Sequence, residues 1–382
     1  MAPGLYVHVP FCVRKCIYCD FYSVETGLRS GQPADVRVGQ DHFLEALELE
    51  FQRLPTPFSP GTIFIGGGTP TELSDSNLER LFELIHTYID VRQVSEWTCE
   101  INPGTLTAAK AQLVRESGVN RVSLGAQSFD ARNLEFLGRI HGPDDIASAF
   151  HLLRDIGFDN INLDLIYGIP QASLESVVGD IEQICALDPE HVSCYCLTFE
   201  EGTPLMGMKR RGEVTETDDD TELDQYKVIR QTVEQAGHEQ YELSNFSKPN
   251  RRCAHNVLYW TGGDYLGCGP AAHSHWQGSR KANHRRLSPW SQALQAGKPP
   301  LQFEERLEPE AKAREILVNW LRLIDGVPRS AFKAVTGYDW TDLVGTEIEE
   351  LVCLGVLLEE QDCLRLTNAG LFVSDRVFAE LI

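Results

Sequence analysis

A chain of 382 residues with 42% hydrophobic and 24% charged content has room for one barrel-sized domain and a smaller companion. Its formal charge of −22 argues against nonspecific binding to nucleic acid or anionic lipid, because the long-range field repels both. Eleven cysteines behind no secretory-type leader point to a reducing, cytoplasmic setting, and no apolar run reaches the ~20 residues that span a bilayer.

The first predicted element is a strand over residues 5–9, which runs straight into Cys12, Cys16 and Cys19, a C-x3-C-x2-C array. Three thiolates on one tight loop can hold three corners of a cubic 4Fe-4S cluster and leave the fourth iron open to a small molecule. A structural zinc ion takes four protein ligands, commonly from two C-x2-C pairs, and no nearby cysteine completes such a set here. Residues 25–40 are polar and glycine-bearing and read as a surface loop. Further strands are predicted at 62–65, 96–101, 121–124, 161–166 and 191–197. Helical periodicity falls between them at 41–54, 78–89, 106–116, 145–156 and 174–187. Strand alternating with helix implies an α/β fold of parallel strands joined by right-handed crossovers. Six such units are too few for a closed eight-fold barrel, so an open partial (βα)6 barrel is expected. Its ligand groups should gather at the carboxyl ends of the strands.

Those ends carry the chemistry. The second strand closes on Gly66-Gly67-Gly68-Thr69, where the backbone can approach a ligand closely. Glu100 ends the third strand, Gln127 follows the fourth with Arg139 beyond it, and Asp164 lies in the fifth. With the cysteine spacing, Tyr18 and the preceding strand, this order resembles the radical S-adenosylmethionine (SAM) superfamily. Within it, the order resembles the oxygen-independent coproporphyrinogen III oxidases and their relatives. The resemblance implies that Cys12, Cys16 and Cys19 hold the cluster and that Tyr6, Tyr18, Gly67, Gly68, Thr69, Glu100, Gln127, Arg139 and Asp164 bind SAM. Arg139 suits the SAM carboxylate, and Glu100 and Asp164 suit ribose hydroxyls or cationic groups.

Two departures separate the chain from the oxidases. Phe21 stands where they carry a further cysteine, and their amino-terminal extension has no counterpart before the first strand. In its place the chain carries Cys253-Ala254-His255-Asn256-Val257-Leu258-Tyr259-Trp260. The H-N-x-x-Y-W stretch resembles the signature of the heme chaperone branch of the family. On this reading His255 ligates heme iron, Tyr259 and Trp260 offer flat surface to the porphyrin, and Lys248, Arg251 and Arg252 pair with the propionates. His273 and His275 are reserve ligands.

Beyond residue 300 the pattern becomes helical, at 304–325, 330–336 and 342–354, and closes on a hairpin over 356–367. This predicts a winged-helix-like carboxyl-terminal domain, as in the oxidase family. The segment 346–350 is acidic, which excludes phosphate contact and hence DNA binding. The expected organisation is a cluster- and SAM-bearing barrel over 1–240, a heme-binding and barrel-completing segment over 241–300, and the small domain over 301–382. The expected function is heme chaperone: heme bound and handed to an apo-hemoprotein, with an electron donor serving the cluster. A homodimer and peripheral contact with membrane hemoproteins are further expected partners. The rival is a radical SAM enzyme acting on a tetrapyrrole, with coproporphyrinogen III oxidase activity.

Overall fold

A computed structural model describes residues 2–27 and 39–382, so most of the loop expected over 25–40 lies outside the described residues. Six parallel strands form the centre: β1 (Gly4–Val9), β2 (Thr62–Gly67), β3 (Glu96–Ile101), β4 (Arg121–Gln127), β5 (Ile161–Tyr167) and β6 (His191–Cys196). They neighbour one another in chain order. The crossovers carry α1 (Gln40–Phe51), α2 (Asp75–Tyr88), α3 (Ala108–Glu116), α4 (Pro143–Ile156) and α5 (Leu174–Leu187). Each bears a buried apolar stripe that packs on the outside of the sheet, as Leu78, Leu81, Phe82 and Ile85 do in α2. Ser74 caps α2 and Ser173 caps α5 through their side-chain oxygens, which fixes where these helices begin.

The sheet is wider than six strands. Next to β6 lies the short antiparallel β7 (Asn245–Ser247). On the other edge β8 (Tyr265–Cys268) pairs parallel with β1, and β9 (His273–Trp276), β10 (Ser279–Asn283) and β11 (Leu301–Glu305) continue antiparallel. The helix expected from residue 304 is corrected here. Glu304 and Glu305 belong to β11, held by Lys281 and Arg280 across the ladder, and the helix α6 starts at its own proline (Pro309–Trp320).

The final segment builds a second core around Leu317, Phe332, Trp340 and Leu364, to which Tyr241 also belongs. Its helices α7 (Arg329–Thr336) and α8 (Trp340–Cys353) precede the hairpin β12 (Leu357–Glu360) and β13 (Cys363–Leu366). Between the two cores sits one short helix, α9 (Ala254–Trp260), which carries the H-N-x-x-Y-W stretch.

Candidate functional site

Parallel strands buried on both faces are ordinarily apolar throughout. Here one face is polar at every second residue. Arg121, Ser123, Gly125 and Gln127 of β4, and Asn162 and Asp164 of β5, all point into one cavity of about 1360 Å³. Strand alternation places them on the inner face, and the carboxyl-end loops close over them.

The cysteine loop forms one wall. Cys12, Cys16 and Cys19 all line the cavity, as does Tyr18. The loop is fastened by backbone bonds from Ile17 to Leu137 (3.2 Å) and from Leu205 to Ile17 (2.9 Å). Burial raises the Cys12 thiol and pushes Cys19 up to about 11. A coordinating metal displaces such protons outright. Arg139 lies 3.5 Å from the Cys16 sulfur and donates to the Gly125 carbonyl at 2.8 Å, a cation set among three thiols. All eleven cysteines are free of disulfides. Three thiols lining one cavity beside a guanidinium are a donor set whose chemistry suits an iron–sulfur cluster with one open corner. Among the described residues no three such groups are gathered tightly enough for a single metal ion.

The glycine run is packed against the same loop. The Gly68 amide donates to the Val9 carbonyl and the Thr69 amide to the Phe11 carbonyl, at 2.8 and 2.6 Å. Gly67 has φ +100°, and a Cβ there would overlap the His8 imidazole. The constraint on Gly67 thus comes from the strand beside it as well as from the cavity it lines. A Cβ on Gly66 would lie 2.6 Å from the Glu100 carboxyl carbon.

Glu100 accepts from the Gly67 amide at 3.1 Å. Burial, and then the neighbouring Asp164, push its carboxyl up to about 8. Asp164 is raised by burial as well, although Ser123 and Asn162 donate to it at 3.1 and 2.8 Å. Two carboxyl groups facing one cavity favour a cation between them, which the sulfonium and amino groups of SAM supply. Gln127 holds φ +70° beside a register break in β4, backbone strain of the kind that re-aims side chains at sites. The Arg139 Nε is buried without a partner, an open donor that suits the SAM carboxylate.

Several predicted residues stay outside this assembly. Tyr6 does not line the cavity, and its hydroxyl is spent on His8 Nδ1 at 3.1 Å. His255 is 1% exposed at the amino ends of the strands, with Nδ1 on the Thr62 hydroxyl and Nε2 on the Tyr259 hydroxyl, both at 2.8 Å. Burial pushes its imidazole down to about 3. Both ring nitrogens of His255 are thus engaged within the fold, and the residue does not line the cavity. Tyr259 shares that engagement. The three basic residues upstream stand in exposed ion pairs outside the cavity: Lys248 with Asp188, Arg251 with Asp159 and Arg252 with Asp325. His273 and His275 lie on β9, between β8 and β10, and do not line the cavity.

The cavity also contains residues the motif reading passed over, among them Arg121, Tyr195, Asn256, Arg322 and Phe372. A period-two polar face on β4 and β5 was the signal for Arg121 and its neighbours. Arg322 lies just past α6 and had no local signal at all.

The comparisons agree with this geometry. The Radical SAM superfamily pattern matches residues 6–184, and the HemN C-terminal domain pattern matches residues 307–373. A protein of Escherichia coli K12 named heme chaperone HemW is 36% identical over 96% of this chain and 94% of its own length. Its namesake in Bacillus subtilis is 32% identical over 99% and 98%. Among solved structures, the E. coli coproporphyrinogen III oxidase HemN, described as a radical SAM enzyme, superposes with TM-score 0.85 over 100% of this chain and 90% of that one, at 21% identity. The chain therefore belongs to the HemW family of heme chaperones, within the radical SAM superfamily.

Proposed function

We propose that this protein binds heme reversibly and passes it to an apo-hemoprotein, while Cys12, Cys16 and Cys19 hold a 4Fe-4S cluster and the cavity ring holds SAM. When bound, the cluster supplies an electron-transfer centre with one open iron, and its electrons come from a separate donor protein. Gly68, Thr69, Glu100, Gln127, Arg139 and Asp164 orient the SAM, with Arg139 on its carboxylate and the Glu100–Asp164 pair toward its cationic end. The reading rests on one observation above the rest. The cavity of about 1360 Å³ exceeds the 300–1,000 Å³ usual for a single small ligand, so SAM leaves room for a second, larger one. Aromatic and apolar groups at its far side, including Tyr195, Tyr226 and Phe372, suit a porphyrin face.

We place heme in that cavity and assign His255 to the floor beneath it. The work is assigned to the cytoplasm; among the described residues no helix is long and apolar enough to cross a membrane. The 1–240, 241–300 and 301–382 division follows as a division of labour between cluster, signature helix and docking domain. Hemin titrated into the anaerobically purified protein should give saturable one-to-one binding with a defined Soret band. Added apomyoglobin should then withdraw the heme. Absence of saturable binding sinks the proposal.

The complete SAM ring favours a second reading, a radical SAM enzyme acting on a tetrapyrrole. Incubation with coproporphyrinogen, SAM and a reductant separates the two: vinyl products would install the enzyme reading in place of the chaperone.

A further inference from the structure

At the floor of the cavity two guanidinium groups stand with open donors, one of them, Arg121, within electrostatic reach of Glu100 and Asp164. Arg121 is 2% exposed and lines the cavity, yet its side chain makes one long hydrogen bond, to the Thr98 hydroxyl at 3.4 Å, and its Nε has no partner. Arg322 also lines the cavity. Its guanidinium lies 4.4 Å over the Trp260 ring, and its nearest anion, a Glu242 oxygen, is 3.6 Å away, beyond hydrogen-bond length. No hydrogen bond from the Arg322 side chain to the described residues is formed, and its buried Nε is unpartnered. Asn256, next to His255 in the signature helix, faces the same space.

Unsatisfied N–H groups in a low-dielectric cavity are costly, and a bidentate carboxylate removes that cost at a guanidinium fork. With Glu96, Asp164 and Glu242 beside them, the two guanidinium groups are a local concentration of hydrogen-bond donors rather than of net positive charge. The outer Arg251 and Arg252 do not line the cavity and stand in exposed ion pairs with Asp159 and Asp325.

We propose that Arg322, seated on Trp260 and flanked by Asn256 and Arg121, is the receptor for a carboxylate of the bound porphyrin, so that a heme propionate is held inside the cavity. This rests on the heme-binding reading above and adds the residue that orients the cargo. It also divides the signature between two tasks. His255 and Tyr259 close the floor through their mutual hydrogen bond, while Asn256 faces the ligand and Trp260 aligns the arginine that meets it.

The test uses the full-length, cluster-loaded protein with two probes, hemin and hemin dimethyl ester, which lacks the carboxylates. Wild type should bind hemin about tenfold or more tighter than the ester, as expected for one charge-assisted fork. Arg322→Gln should bring hemin down to the affinity of the ester and leave the ester unchanged, with cluster absorbance and SAM affinity intact. Arg322→Lys, which keeps the charge but not the fork, should recover part of the preference. Trp260→Leu should reduce it without abolishing it. Equal loss of both probes, or an unchanged preference for hemin in Arg322→Gln, would overturn the assignment. So would loss of SAM affinity with hemin binding preserved, because the guanidinium would then serve the other carboxylate. Wild type that binds neither probe would instead remove the heme-binding reading itself.

Discussion

The carboxyl ends of the six strands and the His255 cluster beneath their amino ends make opposite use of polar side chains. At the carboxyl ends, hydrogen-bonding capacity is left over: the Arg139 Nε is open among the cysteines, and Glu100 and Asp164 face each other with carboxyls raised by burial. Around His255 at the amino ends it is consumed. Glu96 accepts from the Ala254 and His255 amides at 2.7 and 3.0 Å, and the His255 ring is bonded at both nitrogens. A recognisable signature can therefore mark a plug as readily as a ligand. What separates the two is whether donors and acceptors remain unspent once the chain has folded.

The largest expected effect lies at the open end. Replacing Cys12, Cys16 or Cys19 with alanine should abolish the iron–sulfur absorption and most of the bound iron in anaerobic protein. The buried Cys99, the partly buried Cys185 and the exposed Cys353 should tolerate alanine with the absorption intact. Retention of a full four-iron cluster by Cys16→Ala would break the assignment of this end. Arg139→Gln should follow, with SAM affinity lowered about tenfold to a hundredfold in calorimetry, the worth of a charge-assisted pair in a dry site.

The closed end makes the opposite forecast. His255→Ala strands the buried Thr62 and Tyr259 hydroxyls and leaves a cavity, at an expected cost of about 2–4 kcal/mol in denaturant unfolding. The Soret band of the heme complex should keep its position. A shifted band with unchanged stability would show that the imidazole reaches iron after all, and the contrast between the two ends would fail.

Much of the open end was legible in the sequence. The six central strands lie within three residues of their expected bounds because each is a β-branched or apolar run punctuated by glycine or proline. Cysteine spacing and the glycine run were equally local signals. The edge strands were not legible. β11 contains the helix-favouring pair Glu304-Glu305, and only the ladder partners Lys281 and Arg280, some 20 residues back, make it a strand. The fate of His255 was hidden for a related reason. Its partner Thr62 is 193 residues away, and no periodicity reports such a contact. Arg322 approaches Trp260 only when the signature helix packs against the second core.

A smaller effect reads the electrostatics of the open end. Glu100 has a folded-state pKa of about 8 against the ordinary 4.5, so the folded protein holds a proton there that the unfolded chain has released. Stability therefore falls as pH rises from about 4.5 to about 8 and levels off above. Glu100→Gln should flatten that slope in unfolding measured across this range. The slope will not vanish, because the buried Glu50, pushed up to about 7, acts in the same direction. An unaltered slope would mean that Glu100 is ionised in the fold and that the cavity is wetter than its burial implies.

The smallest expected effect concerns the cations outside the barrel, and it bears directly on where the porphyrin sits. Arg251 and Arg252 are about one-third exposed, and their partners Asp159 and Asp325 are largely exposed. Pairs of this kind contribute about 0–1 kcal/mol, since water and salt screen them and ordering two long side chains costs entropy. The double variant Arg251→Glu with Arg252→Glu should thus unfold within about 1 kcal/mol of wild type. Its hemin affinity should change by less than about threefold, with salt dependence unaltered. Arg322→Gln in the same assay should lose its preference for free carboxylates. If the order is reversed, so that the outer pair governs hemin affinity and Arg322 does not, the heme lies outside the barrel against the second domain. The open donors of the cavity floor would then need another anion.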